Sequence, residues 1–301
     1  MANFLSIGIP ARNEEESIER AVNSLIKSSI WKATPSERKE LIICVNGSTD
    51  NTLSISQHLA SKIPEIKIIY LKRGCKNSAI NKITQTSNPQ AKAIYFSDAD
   101  SLVHERTVER TLQELEQTQT AKFAAPLCTP AASFLPPTKR SPTQAFYVEA
   151  SRVGKKEQVY QLSGQGYAAD RTFLLSHPLP NTNRIGDDRY INTMFKKLVK
   201  VVYSTSFVYK EPSLIDHTYQ RIRQKRQRRR LEQIFPETAQ AQKRKAKEVN
   251  PRQLRLIKAL SGKALVGLAL NQGAELTATV LSKAPVRNIW PKIKSTKLRR
   301  K

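Results

Sequence analysis

The sequence predicts an α/β protein built on a mostly parallel, mixed sheet flanked by helices, and three observations carry that prediction. Short apolar runs alternate with helical periodicity through the first 130 residues, the links between them are short, and polar residues collect where the runs end. Alternation of this kind calls for strands buried on both faces by crossover helices. In such sheets ligands sit outside the carboxyl ends of the strands.

The elements follow in order. Residues 4–11 form a first apolar strand, and residues 14–27 place Ile18, Val22, Leu25 and Ile26 at helical spacing. Residues 41–45 are a second buried strand, closed by Asn46-Gly47-Ser48-Thr49-Asp50, a turn followed by helix-start chemistry. Residues 66–71 are a third strand, 79–84 part of a helix, and 93–96 a fourth strand. Residues 107–117 read as a helix and 122–127 as a strand. From 126 to 142 the chain is rich in Pro, Ala, Ser and Thr and reads as a long irregular connection beside an active site. Residues 191–199 give a helix and 201–208 an apolar strand closed by Pro212. Beyond about 235 the pattern is basic and helical.

Composition narrows the classes. The 301 residues are 39% hydrophobic and 25% charged, which excludes a disordered or collagen-like chain. Cys44, Cys75 and Cys128 are far apart and odd in number, against a disulfide framework or a zinc cluster. The first residues read as a strand rather than a signal peptide, and no uncharged apolar run reaches the roughly 18–20 residues that a membrane span needs.

The net charge of +26 is unevenly spread. Residues 1–120 carry 15 basic and 14 acidic side chains, whereas 220–301 carry 23 and 4. Between 220 and 230 there are seven cations in eleven positions. A neutral first half joined to a basic tail points to partners that share phosphate: a sugar nucleotide, anionic lipid headgroups or nucleic acid.

Four groups of residues carry candidate chemistry. Asp98-Ala99-Asp100 follows a strand directly, so its carboxylates are placed to converge on a divalent cation that also holds a diphosphate; the same triplet is also an ordinary turn. Asp187-Asp188 after Gly186 reads either as a helix cap or as the source of a general base. Asn46 offers a donor and an acceptor to a nucleotide base, or simply shapes a turn. The arginine run is a solvated helix face or a phosphate contact. The histidines form no i, i+4 pair, and His217 alone remains to consider as a third metal ligand.

Order and spacing add a resemblance. Ser6 to Glu15, Asn46-Gly47-Ser48-Thr49-Asp50-Asn51-Thr52, Ala79-Ile80-Asn81, Asp98-Ala99-Asp100 and Gly186-Asp187-Asp188 together resemble the family-2 inverting glycosyltransferases of the Rossmann-like GT-A fold, over residues 4–230. The resemblance implies a nucleotide-diphosphate-sugar donor held by Pro10, Ala11, Asn13, Glu14, Asn46, Lys76, Asn81, Asp98, Gln220 and Arg223. It implies Mg²⁺ or Mn²⁺ at Asp98 and Asp100, Asp188 with Asp187 as the catalytic carboxylates, and Gly164, Gln165 and Gly166 beside the acceptor. Gln220-Arg221-Ile222-Arg223 is similar to the Gln-x-x-Arg-Trp stretch of processive members, with Gln224 where they have Trp. Val45 stands where the family usually has the first carboxylate of Asp-Asp-Gly.

The expected organisation is a catalytic domain over 1–230, with a nucleotide-sugar half at 1–127 and an acceptor half at 128–230, then a basic helical extension at 231–301. Transfer of a hexosyl or N-acetylhexosaminyl group to a hydroxyl acceptor is the expected activity. A nucleic-acid-binding protein, or a GT-A scaffold without catalysis, is the alternative. The extension, with apolar residues at Leu256, Ile257, Leu260, Leu265, Leu268 and Val280, is expected to lie on an anionic membrane, near a lipid-linked acceptor. The expected location is cytoplasmic, peripheral on the inner face of a membrane, with nucleic acid not a partner.

Overall fold

The computed structural model describes residues 4–156, 161–182, 184–210, 213–236 and 260–283. Its strands are β1 (Leu5–Ala11), β2 (Lys39–Asn46), β3 (Ile66–Leu71), β4 (Ala93–Ser97), β5 (Leu102–Val103), β6 (Phe123–Pro130), β7 (Gly166–Asp170) and β8 (Val199–Tyr209). The helices are α1 (Ile18–Ile26), α2 (Ser29–Ala33), α3 (Thr52–Lys62), α4 (Lys76–Thr86), α5 (Thr107–Gln117), α6 (Pro142–Lys156), α7 (Arg171–Ser176), α8 (Asp187–Met194), α9 (Leu214–Ile234) and α10 (Gly262–Lys283).

The strands form one sheet in the order β3-β2-β1-β4-β7-β6-β8-β5. The β1–β2, β2–β3 and β1–β4 pairs are parallel, and β4–β7, β6–β7 and β5–β8 are antiparallel. Alternating side chains along β2 divide the core between the two faces. Leu41, Ile43 and Val45 join Ile7, Ile9, Ile18, Val22 and Leu25 on one side. Ile42 and Cys44 join Ile80, Ile83, Phe96, Phe123 and Tyr167 on the other. Gly8 belongs to that second face, where a Cβ would stand 2.7 Å from Ile83 Cγ2, so its bareness lets α4 close on β1.

Three local expectations change. The antiparallel β7 escapes sequence reading because Gly-Tyr-Ala-Ala-Asp is too short and too small to show alternation. The helix expected over 191–199 begins at Asp187 and ends at Met194, followed by a short turn into β8. The irregular stretch after 126 begins as β6, then turns twice and enters α6, with the buried Arg140 donating to the carbonyls of Ala132, Ser133 and Leu135.

The chain divides into two compact units. The first holds the residues up to Cys128 and Gln161–Val208; the second holds Thr129–Tyr160 and Tyr209–Lys297. In the second, α10 packs on α6 and α9. No helix among the described residues is long and apolar enough to cross a membrane. Leu256 and Ile257 lie outside the described residues, as does the side chain of Val280.

Candidate active site

The site is built at the carboxyl ends of β1, β2 and β4, all in the first unit. The loops after β1 and β2 are sewn together by bonds between side chain and backbone. Asn13 takes a left-handed backbone (φ 56°), a region tolerated by Asn, and its Oδ1 accepts from Thr49 N at 2.8 Å. In return Asn13 N donates to Ser48 Oγ (3.0 Å) and Glu14 N to Thr52 Oγ1 (2.7 Å). Asn51 N and Nδ2 both donate to Glu15 Oε2. Gly47 has φ 62°, and a Cβ there would meet the Gly74 backbone, so the turn needs glycine on two counts.

Helix α4 fixes the opposite wall. Lys76, its first residue, places Nζ 2.7 Å from Asp98 Oδ1, 3.2 Å from Asp187 Oδ1 and 2.8 Å from the Gly164 carbonyl it donates to. One turn further along this helix, Asn81 exchanges both amide bonds with the Leu179 backbone (2.8 and 2.9 Å). The buried Asn77 amide donates to the carbonyls of Pro180, Thr182 and Ile185. These bonds hold the segment that delivers Asp187 and Asp188 to the start of α8. Sequence reading missed Asn77, although Asn77 and Asn81 share one helix face at i, i+4.

Gly164 and Gln165 complete the wall. Asp98 N donates to the Gln165 carbonyl at 3.0 Å, as β4 and β7 pair through Ser97 and Gly166. A Cβ on Gly164 would stand 3.0 Å from Asp187 Oδ1 and 3.1 Å from Lys76 Nζ. Any larger residue would therefore fill the acidic cradle.

The electrostatics are dominated by excess negative charge. Asp98 is pushed up to about 6, chiefly by burial, with Asp100 and Asp188 raising it further and Lys76 opposing. Burial and the neighbouring carboxylates likewise raise Asp187 against the pull of Lys76. For Lys76, burial favours the neutral amine, but Asp187 and Asp98 outweigh it and hold the proton more firmly than usual. Asp187 is buried and its Oδ2 lacks a well-formed hydrogen bond, whereas Asp188 is partly exposed, with Oδ1 accepting from Arg189 N. Asp98 and Asp187 thus share the Lys76 ammonium, and Asp188 acts on it from further off. Among the described residues no three His, Cys, Asp or Glu side chains converge closely enough to hold a metal by themselves.

The expected residues sort themselves on this frame. Lys76, Asp98, Asp100, Gly164, Gln165, Asp187 and Asp188 are brought together. Pro10 and Ala11 end β1, paired with Cys44 and Val45 of β2. Glu14 accepts from Ser17 Oγ at 2.7 Å. Asn46 is buried, and its amide donates to the Ala11 and Cys44 carbonyls, so it ties β1 to β2 and both its donor hydrogens are engaged within the sheet. Asn81, expected at the donor, is engaged with the Leu179 loop. Gln220 and Arg223 lie on α9 in the second unit. His217 is there too, with Nδ1 2.5 Å from Tyr147 Oη and Nε2 accepting from Arg221 Nε, so both ring nitrogens have protein partners rather than a metal.

A mixed sheet with an acidic cluster at the ends of its parallel strands defines a GT-A fold, and comparison with known proteins agrees. The family model described as glycosyl transferase family 2 matches residues 6–173, more than half of the sequence. The chain belongs to glycosyl transferase family 2. It is 31% identical over 119 residues to the chondroitin synthase of Pasteurella multocida, a match that covers 39% of this chain and 11% of that protein. It is 28% identical over 119 residues to the uncharacterized glycosyltransferase EpsJ of Bacillus subtilis, covering 40% of this chain and 32% of that one. The chain therefore spans only a minor part of the curated relatives it matches. Among solved structures, the mannosyltransferase PcManGT from Pyrobaculum calidifontis, in complex with GDP-Man and Mn²⁺, superposes with a TM-score of 0.56 at 15% identity, over 94% of this chain and 76% of that one. S. aureus TarS 1-349 with UDP-GlcNAc gives 0.51 at 16% identity, over 70% and 59%. These likenesses establish the GT-A fold.

Proposed function

We propose that the chain transfers a sugar from a nucleotide diphosphate sugar to a hydroxyl acceptor, with inversion at the anomeric carbon, at the cluster of Asp98, Asp100, Asp187 and Asp188. The observation that carries this reading is that Asp98 and Asp187 share the Lys76 ammonium in a buried cluster where neighbouring carboxylates raise both, an environment that favours a bound cation. The donors are all carboxylate oxygens, a set suited to Mg²⁺ or Mn²⁺. Asp98 and Asp100 would hold that ion, with oxygens of the nucleotide diphosphate completing its shell, as is usual where only one or two carboxylates are supplied. A divalent ion there supplies Lewis-acid stabilisation of the departing diphosphate.

The two halves of the Asp187-Asp188 pair divide by environment. Asp187 is buried, paired to Lys76 and crowded by Gly164, which suits it to holding Lys76 in place. Asp188 is partly exposed, which suits it to receiving the acceptor's proton as the hydroxyl attacks. Displacement from the face opposite the leaving group inverts the configuration, with oxocarbenium character in the transition state as in glycoside hydrolysis.

The test is donor turnover across a panel of UDP-, GDP- and dTDP-sugars, GDP-mannose and UDP-N-acetylglucosamine included, with and without chelator. The anomeric configuration of the product is then read by NMR. Metal-dependent turnover with an inverted product is expected; a retained configuration, or full activity in excess chelator, overturns the reading.

A further inference from the structure

We infer that one face of α10 is a membrane-contact surface for an anionic bilayer. At 3.6 residues per turn, Leu265, Val266, Ala269, Leu270, Gly273 and Leu276 fall within an arc of about 140°. All six are apolar or lack a side chain, and Leu265, Val266, Leu270 and Leu276 are 40%, 53%, 42% and 70% exposed. The opposite face is the packed one. There Ala264, Gly267, Asn271 and Ala274 are buried, and Leu260 and Leu268 turn into a cluster with Ala145 and Phe146 of α6. Among the described members of the expected apolar set, Leu260 and Leu268 are internal and Leu265 faces out.

The helix is fixed in this orientation by polar contacts on its inner side. Ser261, just before it, donates from N and Oγ to the two Glu149 carboxylate oxygens (2.7 and 2.6 Å), which places a negative charge at the helix start. The acidic residue of α10, Glu275, is turned inward to Arg221 (3.2 Å) and Lys225 (2.6 Å) of α9. No carboxylate therefore interrupts the exposed arc. A contiguous exposed apolar face of this kind marks an interaction site.

Charge selects the occupant. Residues 220–301 carry 23 cations and 4 anions, and Arg223, Arg228, Arg229 and Arg230 are exposed on α9, which packs against α10. A second copy of this chain would bring another +26 against the first, which opposes self-association through this face. RNA would satisfy the arginines but offers nothing to the leucines. An anionic bilayer satisfies both, with acyl chains for the apolar arc and headgroup phosphates for the cations of α9.

Flotation of the full chain with phosphatidylcholine vesicles, with and without 30% phosphatidylglycerol, tests this. The wild type should float with anionic vesicles, less so with neutral ones, and the attraction should weaken as salt screens it. The double variant Leu265→Glu/Leu270→Glu should bind about tenfold or more weakly, through lost apolar burial and added repulsion, at unchanged helicity. Should that variant unfold, Leu270→Trp decides instead: its fluorescence should be quenched by brominated anionic lipid beyond the wild-type background. Absence of wild-type flotation at low salt overturns the inference. So does equal binding by the folded double variant, an unquenched Trp at 270, or a lipid-free dimer that the double variant disperses while vesicle binding persists. Vesicle binding needs neither donor nor acceptor, so its failure leaves the transfer reading untouched.

Discussion

Lys76 and Asp98 form an ion pair of 2.7 Å that links the first turn of α4 to the end of β4, and the same ammonium reaches Asp187 at the start of α8. One side chain therefore gathers the three elements of the site. Its charge also stands close to where a divalent cation bound by Asp98 would sit, so the two cations compete for one carboxylate.

That competition gives the first prediction. Lys76→Met removes the resident cation and leaves Asp98 and Asp187 facing each other and their neighbours uncompensated. Without nucleotide, Mn²⁺ should bind the variant about tenfold or more tightly than the wild type, a gain of about 1.4 kcal/mol or more. Free Mn²⁺ measured by electron paramagnetic resonance reads this directly. The variant should also melt at a lower temperature at pH 7.5 and recover when Mn²⁺ is added. Equal Mn²⁺ affinities would show that Lys76 does not hold the carboxylates against the metal.

Asp188→Asn keeps shape and removes basicity, so donor binding should persist while transfer falls by roughly 10²–10⁴-fold. Asp187→Asn should act differently. It loosens the hold on Lys76 but also removes a charge that burial and the neighbouring carboxylates disfavour, so it should lower Mn²⁺-dependent nucleotide affinity without lowering thermal stability. Calorimetric nucleotide binding beside transfer kinetics separates the two patterns. A larger loss of transfer in Asp187→Asn, with donor binding intact, would reverse the assignment within the pair.

The strands and the acidic motifs were legible because each leaves a short local mark. Continuous apolar runs announce β1 and β2, and Asp98-Ala99-Asp100 sits directly after β4. What the sequence hid is the use made of polar side chains once the chain folds. Asn46 looks the same whether it reads a base or bonds the Ala11 carbonyl, and only the closeness of β1 and β2 decides. Asn77 is separated from Pro180 and Ile185 by about a third of the chain, so no local pattern announces their bonds. The helix α6 was concealed by the prolines that precede it.

Asn77 therefore supplies a sharp test of positioning. Its amide donates to three carbonyls in a buried place, so Asn77→Ala leaves them short of donors at a cost of about 1–3 kcal/mol. Asn77→Asp is closer in shape but turns an acceptor toward three acceptors. It should be the more destabilising of the two, and both should reduce transfer by displacing Asp188. Thermal denaturation gives the order; an Asp variant as stable as the Ala variant would mean that the three bonds do not hold the loop.

The last prediction concerns pH and the second unit. His217 is pushed down to about 4, first by burial and then by the Arg221 charge, with Glu275 acting the other way. Tyr147 faces the same ring. Arg221 donates to Nε2, so the neutral ring carries its proton on Nδ1, toward Tyr147 Oη. In the unfolded chain this imidazole takes up a proton near 6.5. Between that pH and about 4 the unfolded state binds a proton that the folded state does not. Stability is therefore fully present above pH 6.5 and lost as pH falls toward 4, by an amount on the order of 3 kcal/mol if the whole shift is expressed. His217→Gln can still accept from Arg221 and donate to Tyr147, yet it has no proton to gain. Its stability should lie below that of the wild type at pH 7.5, with the difference shrinking or reversing by pH 4.5. Thermal unfolding of both proteins across that range measures the difference, in which titrations shared by the two chains cancel. Parallel stability curves would show that His217 is not carried neutral through the acid range.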